Sequence, residues 1–130
     1  MNGPIEREVV FESPAGDVWT ALTEPGRLSD WFGAETDLRA EPGATATFRF
    51  PDGTERRALV ERVTPGRRLV FRWLPFERGP DGRPGPALPS RVEIDVSPVD
   101  GGTRVRIVET PTGSAGIPRG PIGFRVEAVV

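Results

Sequence analysis

From Ile5 to Phe11 the chain alternates: Ile5, Val9 and Phe11 fall on one parity, and Glu6, Glu8 and Glu12 on the other, as in a half-buried strand. Arg7 interrupts the apolar parity and places this strand near a sheet edge. Ser13-Pro14 reads as an N-cap followed by proline at the first helical position. It opens a short helix to about Leu22, in which Val18 and Leu22, and Ala15 and Trp19, recur one turn apart. Thr23-Glu24-Pro25-Gly26 ends it, and a second short helix is expected to carry Leu28, Trp31 and Phe32 inward.

Beyond this the apolar period is two. Ala46, Phe48 and Phe50 alternate with Thr45, Thr47 and Arg49, and Pro51-Asp52-Gly53-Thr54 predicts a hairpin turn. The segment from Arg57 to Val63 returns, Thr64-Pro65-Gly66 turns again, and Leu69, Phe71 and Trp73 share one face of the next strand. Leu74 to Pro89, rich in Gly and Pro, reads as an exposed, mobile loop. Two last strands place Val92, Ile94 and Val96 with Val105 and Ile107 across an Asp100-Gly101-Gly102 turn. Their outer faces set Arg91, Glu93 and Asp95 against Arg104 and Arg106, a solvated ladder whose pairs contribute at most about 1 kcal/mol each. Arg56-Arg57 and Arg67-Arg68 flank turns and are read as surface charges in the same way.

The order is strand, two short helices, then five antiparallel strands in one domain: an α+β fold on a curled sheet of about six strands. No apolar run approaches the roughly 20 residues of a membrane span, and Met-Asn-Gly-Pro-Ile-Glu-Arg-Glu lacks the layout of a secretory signal. A cytoplasmic protein is expected.

Composition narrows the chemistry. The chain has no Cys, His, Lys, Tyr or Gln, and all 17 basic residues are Arg. Thiolate catalysis, Schiff bases, hydrolytic triads and nitrogen-rich or sulfur-rich metal sites are excluded, and no cofactor or metal is called for. Acid and base work would fall to Asp, Glu, Arg, Ser, Thr or water. The formal net charge of −2, with Arg interleaved among Asp and Glu, argues against a nucleic-acid partner. Gly101-Gly102 and the glycines from Gly79 to Gly85 have no phosphate-loop spacing.

The pieces IEREVVFESP, AGDVWTALTEPGRLSDWFG, ATFRFPDGT, VERVTPGRRLVFRW and VEIDVSPVDGGTRVRIVE, in this order, resemble the START-like (SRPBCC) superfamily, and within it the bacterial relatives of the Hsp90 ATPase activator's C-terminal domain. The resemblance spans about residues 5 to 110. It implies a helix-grip fold, in which a curved antiparallel sheet wraps a long C-terminal helix and an apolar cavity lies between them. This chain departs from that pattern after Thr110, where PTGSAGIPRGPIGFRVEAVV carries three prolines and four glycines between Pro111 and Gly123. Each interior Gly costs about 1 kcal/mol and each Pro about 3 in a helix, so the long helix is expected to be missing or truncated. The expected division is a START-like domain over residues 4–110 and an irregular tail over 111–130. Truncation, a partner chain that supplies the packing, and an irregular tail lying across the sheet all accommodate this absence. Each leaves the concave face less covered, which predicts a tendency to form a homodimer.

The resemblance places the cavity lining at Trp31, Phe32, Phe48, Phe50, Phe71, Trp73, Val92 and Ile94, residues that core packing alone would equally demand. Trp31 and Trp73 add an indole N–H that needs a partner when buried. Asp30, Arg72 and Glu109 are the polar groups near it. The expected function is non-catalytic binding of a small hydrophobic molecule. The alternatives are a protein-interaction module, a chaperone cofactor or stress-regulator partner, and an enzyme of the polyketide cyclase or hydratase type working through Asp30, Glu109 or an Arg.

Overall fold

A computed structural model of the chain describes residues 4–24, 29 and 33–112. Its elements run β1 (Ile5–Phe11), α1 (Ala15–Thr23), β2 (Glu35–Asp37), β3 (Thr45–Arg49), β4 (Glu55–Thr64), β5 (Arg68–Arg78), β6 (Pro84–Pro86), β7 (Ser90–Val99) and β8 (Gly102–Pro111). The strands form one curved antiparallel sheet in the order β1-β8-β7-β5-β4-β3-β2, with β6 paired to β5, so the fold is α+β of the helix-grip type. β1 and β2 are its edges.

The period-two pattern becomes two faces. Phe48, Ala58, Val60, Leu69, Phe71, Trp73, Val92, Ile94, Val105 and Ile107 turn to the concave side and are buried together. Each large side chain in such a core contributes roughly 1.5–3 kcal/mol. α1 lays Val18, Ala21 and Leu22 on this cluster, packing against β7 and β8. Its N-cap is Pro14, one residue later than expected, whose carbonyl accepts from the N–H groups of Asp17 and Val18 at 3.0 and 3.1 Å. Ser13 is drawn away because its carbonyl accepts the Thr103 hydroxyl at 2.6 Å, tying the start of the helix to β8. Of the second expected helix only Ser29 is described; its hydroxyl accepts from the Thr36 N–H at 2.9 Å and anchors β2.

The predicted turns form, with positive φ at Gly53, Gly66 and Gly101. Gly102 is constrained by space: a Cβ there would lie 1.9 Å from the Phe11 carbonyl oxygen. Among the described residues the sheet counts eight strands, the short β2 and β6 adding to the six or so expected. One expectation is corrected: half of the segment from Leu74 to Pro89 is strand and not loop. β5 continues to Arg78, and a turn with Gly82 at φ 81° returns the chain along β6. The extension passes unnoticed in sequence because the β4–β5 register shifts between Arg56 and Ala58, breaking the parity, with Pro75 in the irregularity where a strand tolerates it.

The outer ladder is also wired differently. Register sets Glu93 opposite Val108 and Arg91 opposite Thr110, so these charges reach the next strand over. Arg68 of β5 takes Glu93 at 2.5 Å and Asp95 at 3.8 Å, Glu61 of β4 takes Arg91 and Arg72 at 3.2 and 3.6 Å, and Arg104 and Arg106 pair with Glu8 and Glu6 of β1. The expected irregular tail lies outside the described residues beyond Thr112.

Candidate functional site

Charged groups on the concave face of a sheet are rare, because burying a charge without compensation costs several kcal/mol. This chain places two there, at the end where β4 and β7 begin and β8 finishes. Arg56 lies on the same parity as Ala58 and Val60, which turns it inward, and it is only 6% exposed. Glu109 continues the inward row of Val105 and Ile107 and is 5% exposed. Between them stand Trp73, opposite Ser90 across the β5–β7 pairing, and Ser90 itself, at 1% and 0%.

The contacts define a linked cluster. One Arg56 amino group (Nη2) donates to the carbonyls of Leu74 and Leu88, both at 3.3 Å, fastening β4 to the irregular stretch of β5 and to the segment leading into β7. Its Nε stands 3.7 Å from Glu77, and its guanidinium carbon lies 4.7 Å from the centre of the Trp73 ring, a cation–π arrangement. The Ser90 hydroxyl donates to Glu109 Oε2 at 2.7 Å. Burial pushes the Glu109 carboxyl above its ordinary range, against the opposing pull of the Ser90 bond and of the Arg56 charge. Burial likewise lowers Arg56, with Glu77 and Glu109 holding it up; a guanidinium stays charged at neutral pH regardless. Two buried donors of this cluster, Arg56 Nε and Trp73 Nε1, have no hydrogen-bond acceptor among the described residues; Arg68 Nε, on the convex face, is a third.

An aromatic group adjoins this cluster. Phe48, Phe71 and Trp73 meet pairwise, with ring centres 5.9 Å (Phe48–Phe71), 4.6 Å (Phe48–Trp73) and 5.4 Å (Phe71–Trp73) apart, the last pair edge to face. Of the residues expected to line a cavity, Phe48, Phe71, Trp73, Val92 and Ile94 are brought together in the core, and Phe50 packs half-buried at its rim. Trp31, Phe32 and Asp30 lie outside the described residues. Arg72 is corrected: it points to the convex side and pairs with Glu61. Arg56 was missed, although its parity with Ala58 and Val60 was the available signal.

Three shallow clefts open elsewhere on the described surface. One, of about 200 Å³, is lined by Phe76, Glu77, Arg57 and Pro84; one, of about 600 Å³, by Ser29, Glu35, Arg49 and Phe50; and one, of about 490 Å³, by the convex charges around Glu61 and Arg91. Among the described residues no group of three or more acidic side chains is placed to hold a metal ion, and no helix is long and apolar enough to cross a membrane.

The model of the family described as "Activator of Hsp90 ATPase homolog 1-like protein" matches residues 12–122. No curated protein matches the sequence. Among solved structures, the chain is similar to DynU16, a protein of the dynemicin biosynthetic locus, at 24% identity and a TM-score of 0.73, over 88% of this chain and 39% of that one. It is also similar to CalU16 from Micromonospora echinospora, at 24% and 0.62, over 85% and 62%. A third similar structure, the Aha1 dimer from Colwellia psychrerythraea, gives 18% and 0.65 over 85% and 78%. This chain thus spans well under half the length of DynU16. At these identities the structural likenesses establish the fold alone.

Proposed function

The chain belongs to the Activator of Hsp90 ATPase homolog 1-like family, and from that premise we propose that its concave face binds a small hydrophobic molecule. One observation carries this reading: Phe48, Phe71 and Trp73 adjoin a buried polar cluster with two donors unanswered among the described residues. The bonds of Arg56 to the Leu74 and Leu88 carbonyls and its stacking on Trp73 offset its desolvation, but they leave its Nε–H and the Trp73 Nε1–H without an acceptor among the described residues. Ligand pockets have this composition, apolar walls with a few placed polar groups.

Titration with the neutral fluorescent probe N-phenyl-1-naphthylamine tests the proposal. Saturable binding of one probe per chain is expected, unchanged in Phe76→Ser, which removes the half-exposed aromatic of the β5–β6 hairpin. An absent or non-saturating response, or one lost with Phe76, contradicts it.

A second reading, an enzyme of the polyketide cyclase type, has one specific support: the Glu109 carboxyl, held toward its protonated form and oriented by Ser90, is equipped to give and take a proton. Glu109→Gln abolishing turnover of a cyclisable polyketide, with binding retained, supports this reading; unchanged turnover ends it. Homodimer formation is proposed on the edge of β1, unpaired among the described residues, where Ile5 and Val10 are exposed; a monomer mass in native mass spectrometry refutes it. A chaperone partner rests on the family description alone, and pull-down with purified Hsp90 tests it.

A further inference from the structure

The polar end of the site restricts what the apolar molecule carries. Buried polar groups in native structures are almost always hydrogen-bonded, yet Arg56 Nε and Trp73 Nε1 lack an acceptor among the described residues, in side chains only 6% and 1% exposed. They belong to one locus, because the guanidinium carbon sits 4.7 Å from the indole ring centre. Both are donors, and neither can accept. Of the two carboxylates around Arg56, Glu77 approaches Nε only to 3.7 Å and is partly in solvent, while Glu109 has one oxygen committed to Ser90. The guanidinium therefore has Glu77 as an ion-pair partner but no carboxylate within hydrogen-bond distance of Nε among the described residues. We infer that the site takes a small apolar acid, with its carboxylate accepting from Arg56 Nε–H and Trp73 Nε1–H and its apolar body lying along Phe48 and Phe71.

The chemistry fits on three counts. A carboxylate answers a guanidinium with charge-assisted bonds that a neutral hydroxyl cannot equal. It adds counter-charge at closer range than Glu77, which stands 3.7 Å from Nε and is partly in solvent. Burial also disfavours ionisation of Glu109, so that group competes weakly with an incoming anion for Arg56. This inference rests on the hydrophobic-ligand reading above and specifies its polar end.

The test compares decanoate with decan-1-ol at pH 7.5 by isothermal titration calorimetry. The two probes share a ten-carbon chain and differ in the anion. The wild type is expected to bind decanoate about tenfold or more tighter, the ratio of one charge-assisted hydrogen bond. Arg56→Met is expected to remove the preference by weakening decanoate alone, and Trp73→Phe, which keeps an aromatic six-membered ring but deletes the N–H with its pyrrole ring, to weaken decanoate several-fold. Arg56→Gln, which removes the charge and keeps a polar side chain, gives the same readout if the methionine variant does not fold. Equal binding of both probes by the wild type, or a preference surviving in the Arg56 variants, overturns the inference while the hydrophobic-ligand reading stands. Binding of neither probe removes both.

Discussion

Replacing Arg56 by methionine isolates the energetic role of the buried cation. The substitution keeps an unbranched apolar stem of similar reach and deletes the guanidinium, together with its bonds at 3.3 Å to the Leu74 and Leu88 carbonyls and its stacking on Trp73. Hydrogen bonds to charged groups contribute roughly 1.5–3 kcal/mol each, and the length of these two puts them at the low end. The cation–π contact adds about 1 kcal/mol. Against this stands the desolvation of the charge, which methionine relieves. The balance is a loss of about 2–3 kcal/mol, or roughly 6–15 °C in melting temperature for a chain of this size. Urea denaturation followed by far-ultraviolet circular dichroism reads it as a lowered midpoint. Arg57→Met is the control: Arg57 is exposed and pairs with Glu55 at 3.7 Å on the surface, so its midpoint is expected within about 0.5 kcal/mol of wild type. An Arg56 variant as stable as the wild type, or an Arg57 variant equally destabilised, refutes the reasoning.

Three further outcomes follow from particular contacts. Gly102→Ala sets a methyl group 1.9 Å from the Phe11 carbonyl and must part β1 from β8, so a loss of about 2–3 kcal/mol in urea is expected; the neutral result would mean the strand ends shift freely. Glu109 has a folded-state pKa raised above its unfolded value, so the folded state holds the proton more tightly, and this group's contribution to stability falls as pH rises through that range. Glu109→Gln is therefore expected to flatten the decline in urea midpoint as pH rises above the ordinary carboxylate range, and parallel curves for variant and wild type would contradict it. Glu61→Gln on the convex face breaks contacts to Arg72 and Arg91, both over 40% exposed; a change below about 1 kcal/mol that shrinks in high salt is expected, and a larger or salt-independent one would show those pairs are not surface pairs.

Most of the sheet was legible in sequence because alternation is strict where one face is buried. Phe48 in β3, Leu69 with Phe71 and Trp73 in β5, Val92 with Ile94 in β7, and Val105 with Ile107 in β8 each sit on the expected face. β2 escaped because Glu35-Thr36-Asp37 has a single inward side chain, a threonine, and no apolar parity. β6 escaped because Pro84-Gly85-Pro86 has every local mark of a loop and is strand only by pairing with β5. The site divided similarly. Its aromatic wall followed from parity and its Glu109 from position, whereas Arg56 beside a turn reads as solvated charge until the register places it on the inner face. Arg72 shows the converse, an arginine between inward aromatics whose own parity faces out. The residues around Trp31 and the chain beyond Thr112 lie outside the described structure, and the lining and tail expected there remain proposals.

The most direct test of the central claim is an indole region of the ¹H–¹⁵N spectrum recorded during titration with decanoate, the Trp73 resonance being identified by its loss in Trp73→Phe. The account predicts that the Trp73 Nε1–H signal moves downfield and saturates as it gains an acceptor, while that of Trp19, half-buried on α1, holds its position. A Trp73 signal unmoved at saturating probe would contradict the assignment of the concave face as the binding site.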